Sequence, residues 1–221
     1  MISDQIAIDG GSVKLLAVMG SPLSVVNSAR VSMGRMSDEL SEDDWRLINY
    51  LWKHKHTSPF RHMQFQFHIK APVFVLRQWM KHQVGCAWNE ISGRYVQFDH
   101  EAWEPSEWRQ GSASIKQGSA GPLEDDAALS AQLIYQRAIE QAFKSYEELL
   151  SIGVAKEQAR TVLPLSLMSE CYWSCSLHAL IHFLSLRLDG HAQAEIRNYA
   201  SAIRDSVWNI EGMSRLLALT L

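Results

Sequence analysis

No stretch of the 221 residues is long and apolar enough to span a membrane. Residues 1–10 carry neither the basic region nor the apolar run of a signal peptide. Cysteine is scarce: Cys86, Cys171 and Cys175 make an odd count with no evident disulfide framework, which suits a reducing compartment. Basic runs are absent too, and with a formal net charge of −3 nothing marks a nucleic-acid surface. The expectation is a cytoplasmic protein without membrane or nucleic-acid partners, whose anionic ligands are small.

Apolar residues are plentiful. They make up 47% of the chain and include eight tryptophans, enough for a core and against disorder. A chain of 221 residues suits one domain, spanning residues 1–221.

Periodicity places the elements. The apolar run 15–19 between Gly11 and Gly20 reads as a strand. Ser41 followed by Asp44 is a capping-box variant, and Trp45, Ile48 and Trp52 then share a helical face over about 42–54. Residues 64–70 alternate strictly, with Phe65, Phe67 and Ile69 on one face, as in a half-buried strand. Pro72 suits the first turn of a helix carrying Val75 and Trp79. A long surface loop is expected at about 104–126, rich in Ser, Gly, Gln and charge, and then a long amphipathic helix up to Gly153. After Pro164 comes an apolar segment rich in Ser and Cys. Helical spacing follows over 177–188 and 192–217, so the last third reads as mostly helical.

Chemistry concentrates in residues 78–95. Gln78, Lys81, His82, Gln83, Asn89, Glu90, Ser92, Arg94 and Tyr95 crowd together there, with Gly85 and Gly93 relaxing the backbone. Ser92, Gly93 and Arg94 combine a hydroxyl, a backbone open to close approach and a forked cation, donors suited to a phosphate. The residues alone leave a second reading open, a solvated loop in which Arg94 and Glu90 pair with neighbours.

The stretches 76–82 and 89–95 resemble the signature of flavin-dependent thymidylate synthases, R-H-R, a short spacer, then N-E-x-S-x-R-Y. Five further blocks resemble that family in the same order: 29–32, 56–60, 71–74, 159–164 and 186–193. The resemblance implies an α+β single domain of that family's fold, helices packed on a small, mostly antiparallel sheet. It also implies a homotetramer with active sites at subunit interfaces. The implied reaction is methylation of dUMP to dTMP, with methylenetetrahydrofolate giving the carbon, FAD the hydride and NADPH the re-reduction.

Residue by residue, the resemblance puts Gln78, Lys81, Glu90, Ser92, Gly93, Arg94, Arg160 and Arg187 around dUMP. Arg187 is the catalytic residue, stabilising negative charge on the pyrimidine. Ser32, His56, Ser58, Lys81, His82, Gln83, Glu90, Ser176, His178, His182 and His191 fall at the flavin. The chain departs from the family there. Lys81 and Gln83 replace the two arginines of R-H-R, and Ser176, His178 and His182 stand where Asn, Arg and Asn are usual. Lys is a point charge and Gln has none, so a desolvated phosphate contact loses on the order of 1–3 kcal/mol, and weaker flavin binding is expected.

Cys86 is expected to be dispensable as a nucleophile. Ser92 has no triad partner in view and reads as a phosphate donor. Two rival readings stand beside the family one. Cys175, His178 and His182, at i, i+3 and i+7, could present sulfur and two imidazoles on one helical face, a ligand set for a zinc-dependent hydrolase, although H-E-x-x-H is absent. A degenerate homologue would bind nucleotide without turnover. No metal is expected.

Overall fold

The alternation at 64–70 produces the central strand, β3 (Gln64–Pro72), which buries Phe65, Phe67 and Ile69 on one face. The computed structural model describes residues 4–112 and 118–220. Around β3 lie β1 (Ile6–Ile8), β2 (Gly11–Met19), β4 (Cys86–Glu90) and β5 (Met168–Ser176). The order is β1-β2-β3-β5-β4, and each of these pairings is antiparallel.

The last third is mostly helical as expected, but it also contains β5, where the sequence indicated only an apolar segment rich in Ser and Cys. β5 pairs with β3 along its length, Ser176 opposite Gln64 and Met168 opposite Pro72. Cys171, Trp173 and Cys175 are buried while Glu170, Tyr172 and Ser174 point away, an alternation of period two. Two of the three inward residues are cysteines, which act as small apolar groups in a core, and so the pattern is faint to a hydropathy reading.

Eight helices flank the sheet among the described residues: α1 (Pro22–Arg30), α2 (Glu42–Lys53), α3 (Val73–Trp79), α4 (Asp125–Ser151), α5 (Lys156–Ala159), α6 (Leu177–Arg187), α7 (Ala194–Trp208) and α8 (Met213–Leu217). The capping box of α2 forms as expected: the Asp44 backbone N–H donates to Ser41 Oγ and the Ser41 N–H to the Asp44 carboxylate. Pro72 ends β3 and is the cap residue before α3 rather than part of its first turn. The helical pattern at 192–217 is two helices. Gly212 breaks it at φ +74°, where an added Cβ would lie 2.8 Å from Pro22. Between β4 and α4 the described residues form no helix or strand, only isolated bridges such as Ala102 with Leu167 and Arg109 with Pro122.

An aromatic cluster fastens α3 and α6 to the sheet. Trp79 stacks on Phe183 at 4.7 Å and meets Trp173 edge-on at 5.2 Å, and Trp173 stacks on Trp88 at 5.5 Å. Each such pair adds about 0.5–1.5 kcal/mol beyond burial. The end of α3 and the last turns of α6 are thereby held against each other.

Candidate active site

Arg187, in the last turn of α6, reaches the chain just after α3. Its Nε donates to His82 Nε2 at 3.0 Å and its Nη2 to the Gln78 carbonyl at 3.3 Å. An acceptor imidazole must be unprotonated at that nitrogen. His82 is 8% exposed, and burial, with Arg187 and His182 beside it, pushes its pKa down to about 4. The neutral ring therefore orients the guanidinium at ordinary pH. Two of the five guanidinium N–H donors are used in this way, and three remain for a ligand.

The Gln78 side chain belongs to a second chain of contacts. Its Nε2 donates to Gln193 Oε1 at 2.5 Å, and Gln193 Nε2 donates to Glu195 Oε2 at 2.7 Å. The other carboxylate oxygen of Glu195 is paired with Arg109 of the long loop. Sequence reasoning gave Gln193 no role and missed Arg109 and Glu195. They lie 31 to 117 positions from Gln78, and only a pattern of complementary donors and acceptors, invisible without the fold, links them.

A separate group forms where β4 ends. Gly93 is buried, and a Cβ on it would sit 2.3 Å from the Phe98 ring and 3.1 Å from Arg160 Cδ. The missing side chain lets the loop lie against Arg160. The Arg94 N–H donates to Ser92 Oγ at 3.3 Å. Arg94 Nε lies 3.7 Å from the Glu157 carboxylate, and Arg160 Nε donates to the Glu157 carbonyl at 3.4 Å. Both guanidiniums thus meet Glu157, Arg94 at its exposed carboxylate and Arg160 at its backbone carbonyl, next to the Ser92 hydroxyl. Such an exposed pair is worth about 1 kcal/mol at most, so a phosphate can take the place of the carboxylate. Glu90, on β4, accepts from Ser169 Oγ at 2.6 Å.

A third group surrounds a cleft of about 300 Å³ lined by Trp52, Lys55, Thr57, His178, His182 and Ser185, with Leu219. Burial, then Arg61, His182 and Lys55, lower the pKa of His178. The ring of His82 is 5.7 Å from that of His182, which connects this cleft to the Arg187 group.

The other expected flavin residues are dispersed. Ser176 is buried at the start of α6, where its Oγ accepts from the Ala179 N–H. Ser32 is exposed and donates to the Ala29 carbonyl. His56 stacks on Tyr50 at 6.3 Å, and Ser58 opens the short 3₁₀ turn Ser58–Arg61. Lys81 and Gln83 are exposed. His191 is exposed and bonded to Asp189 at 2.8 Å.

The zinc reading loses its geometry. Cys175 belongs to β5 and α6 begins at Leu177, so the three residues do not share a helical face. No group of three or more His, Cys, Asp or Glu among the described residues is placed to hold a metal. Burial raises the pKa of all three cysteines, that of Cys171 to about 12, which leaves no poised thiolate.

Residues 14–211 match the family described as "Thymidylate synthase complementing protein". A flavin-dependent thymidylate synthase of Thermus thermophilus is 46% identical over 200 residues, 90% of this chain and 72% of that protein. One from Kosmotoga olearia is 41% identical over 196 residues, 89% of this chain and 84% of that protein. The crystal structure of the UMP/dUMP methylase PolB from Streptomyces cacaoi, bound with 5-Br dUMP, superposes with a TM-score of 0.78 at 32% identity. That match covers 95% of this chain and 92% of the other.

Proposed function

The chain belongs to the flavin-dependent thymidylate synthase family, and from that premise we propose how its own residues carry the reaction. The reaction is the reductive methylation of dUMP to dTMP by folate and flavin chemistry. Bound FAD supplies the hydride, and methylenetetrahydrofolate supplies the carbon. NADPH as the source of reducing equivalents is part of the proposal.

The observation that carries the assignment is the placement of Arg187. A guanidinium fixed by a neutral imidazole and a backbone carbonyl, with three donors unspent, is arranged in advance to stabilise negative charge growing on a pyrimidine ring. Gln78 and Lys81 border the same nucleotide. Arg94, Arg160, Ser92 and Gly93 hold its phosphate, displacing Glu157, and Glu90 lines the same pocket. No enzyme thiolate is needed, in keeping with the raised thiol pKa values.

The cleft fits a flavin by its chemistry. Trp52 offers an aromatic wall, while Thr57, Ser185, His178, His182 and Lys55 offer donors and a cation. Ser32, His56, Ser58, Lys81, His82, Gln83, Glu90, Ser176 and His191 complete the proposed flavin set. Lys55 and Arg61 bring positive charge to His178, and they compensate in part for the cations absent at Gln83 and His178.

The side chains of Arg94, Arg160 and His182 are exposed on one chain, while His82 is buried and Arg187 half-buried. A homotetramer that closes the site between subunits supplies the missing walls. The exposed Leu129, Leu133 and Ile134 of α4 offer apolar surface for such contacts. A cytoplasmic location belongs to the same proposal. No helix among the described residues is long and apolar enough to cross a membrane.

Tritium release from [5-³H]dUMP with FAD, NADPH and methylenetetrahydrofolate tests the function. Release is expected. A protein that binds dUMP without releasing tritium would be the degenerate homologue instead.

A further inference from the structure

Gln78 and Gln193 each carry an amide whose two ends look alike in shape and opposite in chemistry. Which end faces which neighbour is decided by the partners. In this fold the decision starts at Glu195, 8% exposed in the first turn of α7. As a carboxylate paired with a guanidinium it only accepts: Arg109 occupies one oxygen and Gln193 Nε2 the other. Gln193 must then turn its oxygen toward Gln78, and Gln78 must answer with its NH₂ group. The side-chain oxygen of Gln78, Oε1, takes no part in that chain of contacts.

We propose that Glu195 and Arg109 are positioning residues that fix the polarity of the Gln78 amide, so that Gln78 presents an acceptor oxygen to an O–H or N–H donor of the nucleotide. The inference rests on the reading that Gln78 borders dUMP, and it adds what sets the direction of that contact. The order of parts is specific. Arg109 can only donate, Glu195 can only accept, and between them and the substrate stand two groups able to do either. The backbone carbonyl of Gln78 also receives Arg187, so its backbone acceptor and its amide donor are committed before substrate arrives, and Oε1 remains. The same ion pair fastens the long loop to α7, because Arg109 lies within the irregular segment and Glu195 within the helix.

A mere loop fastener and a polarity device differ in one measurable respect. If Arg109 and Glu195 act through Gln78, their effect on nucleotide binding vanishes when Gln78 is gone. The experiment is a double-mutant cycle on the flavin-loaded protein, with dUMP affinity measured by titration calorimetry alongside thermal melting. Glu195→Gln keeps the shape but introduces a donor, and Arg109→Gln removes the cation that holds the Glu195 carboxylate in place against Gln193. Each is expected to weaken dUMP binding about fivefold to twentyfold, the range of a hydrogen bond lost or reversed. In a Gln78→Ala background each is expected to change it by less than about twofold. Arg109→Lys, still a donor only, is expected to restore most of the affinity.

Full repetition of the losses in the Gln78→Ala background would overturn the proposal, as would an unchanged affinity in both single variants. Should Glu195→Gln fail to fold, the Arg109 arm decides by the same cycle. If Gln78→Ala by itself leaves dUMP affinity unchanged, the placement of Gln78 at the nucleotide is wrong and the inference falls with it. That outcome is distinct from additivity.

Discussion

Arg187 and His82, 105 positions apart in the chain, meet through a single bond of 3.0 Å in which the imidazole accepts and the guanidinium donates. The direction of that bond requires a neutral histidine. The pKa of about 4 that burial, Arg187 and His182 impose keeps it neutral over the physiological range.

This makes stability depend on pH with a definite sign. The unfolded chain takes up a proton at position 82 near pH 6.5, the folded one only near 4, so stability falls as pH drops through that window and levels off below it. His82→Gln keeps an acceptor and removes the titration. The difference in Tm between the two proteins is expected to shift across pH 6.5 to 4 and stay flat above 7.

Arg187→Lys keeps the charge but loses the Nε–H that His82 accepts and the planar fork. kcat/KM in tritium release is expected to fall by about a hundredfold or more, the scale seen when one transition-state donor is removed. Retention of more than half the activity would contradict the role given to Arg187.

Gly93→Ala would drive a methyl into Phe98 and Arg160, at 2.3 and 3.1 Å. Overpacking of this kind costs about 1–3 kcal/mol. KM for dUMP is expected to rise about tenfold or more, with the fold retained by circular dichroism, because the strain falls on the loop that carries Ser92 and Arg94.

Flavin retention should respond to charge around the cleft. Lys55→Gln and Arg61→Gln are expected to release FAD faster on dialysis and to weaken FAD more than riboflavin, which lacks the phosphates. The visible spectrum before and after adding FAD reads this directly. Equal loss of both flavins would place the two cations away from the phosphates.

Cys86→Ala should leave turnover within about twofold, since burial raises the pKa of its thiol and the proposed chemistry gives it no step. Loss of turnover with dUMP binding intact would require a thiol nucleophile.

Much of the framework was legible in the chain. The alternation at Phe65, Phe67 and Ile69 announced the central strand, and the Ser41 and Asp44 pair announced the start of α2. The motif at Asn89 to Tyr95 pointed to the family, which the match over residues 14–211 shows. β5 was not recognised, because the small residues among Cys171, Trp173 and Cys175 weaken its hydropathy signal. The break at Gly212 was not recognised either, because the helical spacing continues on both sides of it over 192–217.

By itself, then, the sequence determined the kinds of group available and the local elements that carry them, because periodicity, capping and motif spacing act over a few residues. Only the tertiary structure decided how those groups are presented. The aromatic cluster of Trp79, Phe183 and Trp173 brings the ends of α3 and α6 together. That contact turns His82 into the acceptor for Arg187 and leaves Gln78 to be ordered by Gln193 and Glu195. The direction of a hydrogen bond depends on which partner is within reach, and reach across more than a hundred residues is a property of packing.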